Sequence, residues 1–157
     1  FEKMTGRKYS FFEEYQMEDA EAAIVVIGST AGTARAEVDA LRAEGKKVGM
    51  IKVRVFRPFP AEELAAALSH VKAVAVMDKS EGFAADGGPL FYEVRSACYD
   101  LEKRPMMIDV VYGLGGRDCA TEDIRRVFDR LMKMVETGQR GPVYNHMGQR
   151  DLREPTV

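Results

Sequence analysis

The most constraining feature of this chain is a run of six apolar residues, Ala22-Ala23-Ile24-Val25-Val26-Ile27, with nothing in it to face water. A strand wetted on one side would alternate polar and apolar. A continuous, mostly β-branched run is the pattern of a strand covered on both faces, as in a parallel sheet with helices above and below. Ala73-Val74-Ala75-Val76-Met77 repeats the pattern. The first run stops at Gly28-Ser29-Thr30-Ala31-Gly32-Thr33, after which Ala34, Val38 and Leu41 recur at i, i+4 and i+7, one stripe of a helix that Gly45 ends. The second stops at Asp78-Lys79-Ser80-Glu81-Gly82-Phe83-Ala84-Ala85-Asp86-Gly87-Gly88. Pro89 then opens a helix whose stripe is Leu90, Val94, Ala97, Cys98 and Leu101.

Two further strands are predicted. From Val48 to Val55, Lys52 and Arg54 alternate with Val53 and Val55, so one face meets water or a partner. Phe56-Arg57-Pro58-Phe59-Pro60 follows and is extended, because each proline biases its predecessor away from helix. Pro60 opens the next helix, with Glu62 and Glu63 near its positive end and Leu64 and Leu68 on its buried side. Met106 to Val111 is the fourth strand and runs into Gly113-Leu114-Gly115-Gly116-Arg117-Asp118. Thr121 reads as an N-cap with Glu122 and Asp123 behind it, and Ile124, Val127, Phe128, Leu131 and Val135 share one helical face.

Strand–helix alternation in this order implies an α/β fold: three layers, an open, mainly parallel sheet with helices on both faces. Residues 20–137 form the expected domain. Residues 1–19 carry Phe1, Tyr9, Phe11, Phe12 and Tyr15 and read as an arm lying on a surface, its own or that of a preceding domain. Residues 138–157 have no period and read as an extended tail. The first residue is Phe1, not Met, which fits a piece of a longer polypeptide.

Composition removes several function classes. Lys plus Arg is 23 against 25 Asp plus Glu, so a nucleic-acid binder, which needs surplus positive charge, is not expected. The longest apolar run is far too short to cross a bilayer, so no membrane partner is expected. Two cysteines, Cys98 and Cys119, can build neither a four-thiolate iron–sulfur cluster nor a Cys-rich zinc site nor a disulfide framework. With no signal-peptide pattern at the start, a cytoplasmic location is expected.

Loops leaving the carboxyl ends of such strands gather on one rim, where ligands usually sit. Three are glycine-rich here: 28–33, 79–88 and 113–118. Gly28-x-x-x-Gly32 is neither the dinucleotide fingerprint nor a P-loop, so a tight turn is favoured over phosphate binding. Arg57, Arg117 and Asp118 stand at strand ends. They suit anchoring of an anion or a neighbouring subunit, and equally an internal Arg–Asp pair that stiffens a loop. Cys98 reads as core; Cys119, just before a helix, is better read as a spectator thiol than as a stabilised thiolate. His70 and His146 are near no Cys or carboxylate in a metal or triad spacing.

Gly6-Arg7-Lys8-Tyr9, Asp19-Ala20-Glu21, Gly28-Ser29 with Gly32-Thr33, Leu41-Arg42 with Glu44-Gly45-Lys46-Lys47-Val48-Gly49, Phe56-Arg57-Pro58-Phe59-Pro60, Gly87-Gly88-Pro89-Leu90 and Gly113-Leu114-Gly115-Gly116-Arg117-Asp118 occur in one order and spacing. In this the chain, up to about residue 137, resembles the carboxy-terminal part of the alpha subunit of 2-oxoacid:ferredoxin oxidoreductases, of which pyruvate:ferredoxin oxidoreductase (pyruvate synthase) is the best-known. The resemblance implies a fold like the last domain of transketolase. It also implies a place in a multisubunit enzyme that decarboxylates a 2-oxo acid (pyruvate or a branched-chain one) oxidatively to an acyl-CoA.

In that complex thiamine diphosphate, Mg, iron–sulfur clusters and CoA do the chemistry. The partners implied are the thiamine-diphosphate-binding, gamma and iron–sulfur subunits, with ferredoxin reached through the complex. The magnesium–diphosphate motif and the cluster cysteines are absent here, so the chain is expected to bind no cofactor or metal, to carry no catalytic residue and to be inactive alone, as a structural and docking domain. Its interface or ligand-rim candidates are Arg57, Lys79, Gly115, Gly116, Arg117 and Asp118. Lys79 stands where relatives often have arginine, which keeps the charge and loses the planar fork, a mark of a subfamily with a different 2-oxo acid. The alternative function is a stand-alone α/β nucleotide- or small-ligand-binding module.

Overall fold

The computed structural model describes residues 2–83 and 87–148. A short helix α1 (Glu2–Thr5) and strand β1 (Phe12–Tyr15) precede β2 (Ala22–Ile27), α2 (Thr30–Ala43), β3 (Val48–Val53), α3 (Ala61–Leu68), β4 (Ala73–Asp78), α4 (Pro89–Ala97) and β5 (Met106–Val111). A single 3-10 turn (Leu114–Gly116), α5 (Thr121–Thr137) and β6 (Tyr144–His146) follow. The strands form one sheet in the order β1-β3-β2-β4-β5-β6. β2 through β6 are parallel, and β1 pairs antiparallel with β3.

The period-two geometry of a strand explains why the central runs had to be apolar throughout. Ala22, Ile24 and Val26 point to one face and meet Ala34, Val38 and Leu41 of α2 and Ile124, Phe128 and Leu131 of α5. Ala23 and Val25 point to the other face and meet Leu64 and Leu68 of α3 and Leu90, Phe91 and Val94 of α4. Every one of these side chains is essentially sealed from solvent. Each large one contributes roughly 1.5–3 kcal/mol by leaving water. The open, mainly parallel three-layer sheet expected from the sequence is therefore the observed fold.

Helix ends follow local chemistry. After α2 the Lys46 N–H donates to the Leu41 carbonyl (3.0 Å) and the Gly45 N–H to that of Arg42 (2.9 Å), with Gly45 at φ +80°. This pair of hydrogen bonds closes the helix in a conformation that suits glycine. The start of α5 differs from expectation. Thr121 is its first residue, not its N-cap; Ala120 holds the cap position, and its N–H donates to the Asp123 carboxylate at 3.0 Å.

The two flanking segments join the sheet. Of the arm aromatics, Phe12 is buried in the α3–α4 core, Tyr15 donates to Asp39 (2.6 Å), and the Arg54 guanidinium lies 5.2 Å over the Tyr9 ring. The arm thus lies on its own domain. Glu13 links Arg35 to Arg54 (2.5 Å to the latter), so Arg54, just past the end of β3, does meet a partner. Val48–Val55 is shorter as a strand, ending at Val53. In the segment read as a tail, Tyr144, Asn145 and His146 pair with Asp109, Val110 and Val111. Phe1, residues 84–86 of the long loop and 149–157 of the tail lie outside the described residues.

Candidate functional site

The direction of winding reverses between β2 and β4. β2 leads outward to β3 through α2 on one face; β4 leads the opposite way to β5 through α4 on the other. Diverging connections leave a crevice beyond the carboxyl ends of the strands at such a point. A cleft of about 320 Å³ lies there. It is lined by Ser29, Thr30 and Thr33 from the β2–α2 turn, Lys79 after β4, and Tyr112, Gly116, Arg117, Asp118 and Cys119 after β5. The buried Tyr112 hydroxyl donates to Thr30 Oγ1 at 2.9 Å and ties the end of β5 to the start of α2.

Lys79, Gly116, Arg117 and Asp118, read from sequence as rim candidates, are brought together here. Among the described residues neither the Lys79 nor the Arg117 side chain makes a hydrogen bond or an ion pair, so Arg117 and Asp118 form no pair with each other. Both cations cross bare backbone. A Cβ on Gly113 would lie 2.8 Å from Lys79 Cε, and one on Gly148 would lie 2.8 Å from Arg117 Cδ. Gly115 belongs to the adjoining 3-10 turn and does not line the cleft. Arg57 lies apart from the cleft. Its guanidinium bonds Glu93 of α4 at 2.7 Å and rests 4.2 Å over the Phe56 ring. The partner is thus a glutamate 36 residues away and not the aspartate of the Arg–Asp pair considered from the sequence.

Hydroxyls, two unneutralised cations and the amino end of a 14-residue helix suit the carboxylate or phosphate of a visitor. The cleft offers no activated nucleophile. Burial and the neighbouring Asp123 push the Cys119 thiol up, against the pull of Lys79, so it stays protonated near neutrality. Cys98 is buried among apolar side chains, and its thiol is pushed up to about 11.

Beside the cleft the sequence holds a second cluster that its pattern only hinted at. Asp78, the last residue of β4, accepts the backbone N–H groups of Leu90 (3.0 Å) and Phe91 (2.9 Å). Asp109, inside β5, accepts that of Gly88 at 2.5 Å. Both carboxylates are buried at the start of α4. Burial pushes the Asp109 carboxyl up to about 7, against the Gly88 N–H and helped by the Asp78 charge. The one detectable signal was a lone carboxylate in an otherwise apolar strand. His146 is also closer to a carboxylate than its sequence distance suggests. Its ring bonds Glu81, 65 residues away, to which Tyr144 also donates at 3.1 Å, and these bonds hold the Glu81 carboxyl below its usual range.

These residues do not fit the groups that 2-oxo-acid chemistry needs. Asp78 and Asp109 are sealed in the interior, where both Asp78 oxygens and one Asp109 oxygen accept N–H groups at the start of α4, and the two thiols are separate and protonated. No step of a reaction is therefore assigned to them.

Fold and rim together define a doubly wound α/β domain with a cationic cleft at its switch point. The family model of pyruvate:ferredoxin oxidoreductase core domain II matches residues 20–124, and the chain belongs to that family. It is 50% identical over 129 residues to pyruvate synthase subunit PorA of Thermotoga maritima, covering 82% of this chain and 33% of that protein. It is 43% identical over 140 residues to ketoisovalerate oxidoreductase subunit VorA of Pyrococcus horikoshii, covering 88% and 35%. The chain spans about a third of the length of these curated relatives. Among solved structures, a split-gene transketolase in an inactive β4 tetramer superimposes with a TM-score of 0.61 at 15% identity, covering 82% of this chain and 45% of that one. A 2-oxoglutarate:ferredoxin oxidoreductase from Magnetococcus marinus gives 0.58 at 21% identity, covering 81% and 20%. At those identities the likeness is one of fold. The resemblance read from the motifs, to the oxidoreductase alpha subunit and to the transketolase domain, is borne out. Among the described residues no helix is long and apolar enough to cross a membrane.

Proposed function

We propose that this chain is the carboxy-terminal docking domain of the alpha subunit of a 2-oxoacid:ferredoxin oxidoreductase acting on pyruvate or a branched-chain 2-oxo acid. It supports CoA-dependent oxidative decarboxylation without holding the reacting groups. Thiamine diphosphate, Mg, the iron–sulfur clusters and CoA sit elsewhere in the complex, and ferredoxin is reached through other subunits. The observation that carries this reading is the 50% identity to a stretch amounting to a third of a pyruvate synthase subunit. The rim supports it. Lys79 and Arg117 stand unneutralised at the cleft, with the exposed side chains of Phe83 and Leu114 on the same loops. Cations beside exposed apolar groups suit an acidic, partly apolar subunit surface.

Arg117→Ala in the alpha subunit tests the rim. The expected result is a smaller fraction of assembled complex on gel filtration and proportionally lower viologen reduction with 2-oxo acid and CoA. Unchanged assembly and unchanged turnover would remove the rim from the docking role. The 157-residue chain alone, given 2-oxo acid, CoA and thiamine diphosphate, is expected to reduce no viologen. Turnover by it would overturn the reading.

A further inference from the structure

The rim cleft is not the largest cavity. At the opposite end of the sheet, where β5 begins, a pocket of about 540 Å³ lies between the end of α4 and the turn after α5. Its floor is apolar, formed by Cys98, Pro105 and Met107 with Phe91 behind them. Its mouth carries Arg95, Arg104 and Arg140, and among the described residues no Asp or Glu lines it. Among the described residues none of these arginines makes an ion pair or a hydrogen bond to a carboxylate. In a chain with net charge -2, three guanidiniums around one apolar hollow are a local excess of positive charge; Arg95 and Arg104 rest over the Phe91 and Tyr99 rings at 5.8 and 5.5 Å, contacts that leave their charge unneutralised. The Tyr99 ring is 67% exposed at the edge, with the Arg104 guanidinium 5.5 Å over it.

We propose that this pocket binds a nucleoside phosphate, its planar base over the Tyr99–Met107 side and its phosphates among Arg95, Arg104 and Arg140. An inorganic anion would leave the floor empty, and a neutral apolar molecule would leave three cations unused. Guanidinium groups serve both parts of such a ligand, stacking on a ring and forking onto phosphate oxygens. Gly138 and Gly141, at φ +68° and +69°, present bare backbone at the mouth, so a phosphate can come close. The volume lies within the roughly 300–1,000 Å³ typical of small-molecule sites.

The test is photolabelling of the full-length subunit in its complex with azido-ADP, with the adduct mapped by mass spectrometry. Label is expected on peptides covering 95–107 or 138–141 and should be competed by ADP but not by adenosine or inorganic phosphate alone. Coenzyme A is a further competitor, expected to displace the label less well than ADP; preferential displacement by coenzyme A would overturn the proposal, because that cofactor is read as sitting elsewhere in the complex. The Tyr99→Ala, Arg104→Ala pair should lower labelling about tenfold, the loss of one charge-assisted contact and one ring face. Its melting temperature should not move, since both side chains are exposed. Label only elsewhere, equal competition by phosphate, or labelling of the separated subunit but not of the complex would each overturn the proposal. The last would mean that a neighbouring subunit covers the pocket.

Discussion

The amino ends of α2 and α4 occupy the same rim, one strand apart, and are treated in opposite ways. At α4 the unpaired N–H groups of the first turn are closed from inside: Asp78 takes Leu90 and Phe91, and Asp109 takes Gly88. The fit is tight; a Cβ on Gly88 would lie 2.4 Å from Asp78 Cγ. At α2 no side chain caps the helix, Ser29 at the cap position makes no such bond, and the charges lining the cleft beside it are the cations Lys79 and Arg117 with the single anion Asp118. Cβ atoms on Gly28 and Gly32 would meet nothing within 4 Å. A helix end filled by the protein's own carboxylates is a structural joint. One left open beside unneutralised cations is free to receive something else. The contrast sets a closed helix end beside an open one on a single edge of the fold.

The largest effect is expected from removing the joint. Asp78→Ala strips the acceptor from two buried N–H donors and leaves a void, and should cost about 3 kcal/mol, summing unsatisfied donors and a lost cap. Denaturant titration of the chain measures it; a loss below the error of the method would mean that Asp78 does not hold α4.

Asp109→Asn is expected to act next, and with a pH signature. The unfolded carboxyl ionises near 4, whereas the folded one holds its proton to about 7. Between those values the native state binds more protons, so this group makes stability fall as pH rises, and the loss levels off above 7. Asparagine keeps an acceptor for Gly88 and removes the titration. The variant should therefore gain on wild type by on the order of 3 kcal/mol between pH 4.5 and pH 8. Equal differences at the two pH values would show that Asp109 does not titrate in this window.

What could be read from the sequence divides along the same line. The layered sheet, the buried helix faces and the gathering of glycine loops were legible because each rests on local periodicity: the continuous run at 22–27 and the stripe from Ile124 to Leu131 need no distant partner. The rim cations were legible as charges at strand ends. Their neighbours were not. Arg57 finds Glu93 and His146 finds Glu81 only after the crossovers bring distant segments together. β6 has no apolar pattern. It is held by Asn145, which donates to the Asp109 carbonyl at 3.0 Å, and by Arg130, which donates to Asn145 Oδ1 at 2.6 Å. Short polar strands fixed by side-chain bonds leave no periodic trace.

Gly32→Ala probes the open helix end more gently. The residue is exposed, has no positive φ and has room for a methyl group. Replacing it lowers the entropy of the unfolded chain and should stabilise α2 by roughly 0.5 kcal/mol. A clear destabilisation would mean that the space beside Gly32 is already used in the folded protein.

The smallest expected change in stability is also the sharpest test of the contrast. The Lys79 and Arg117 side chains make no hydrogen bond or ion pair among the described residues, so the double replacement Lys79→Ala, Arg117→Ala removes no folded-state polar partner. It should shift stability by no more than about 0.5 kcal/mol, the range of surface substitutions without a structural role. Structural cations would behave otherwise, because removing one member of a buried pair strands the other at a cost of about 3–5 kcal/mol. Equilibrium denaturation of the double variant, read beside Asp78→Ala, compares the two helix ends directly. If the double variant melts as early as Asp78→Ala, the cations are part of the joint, and the cleft at α2 is as structural as the one at α4.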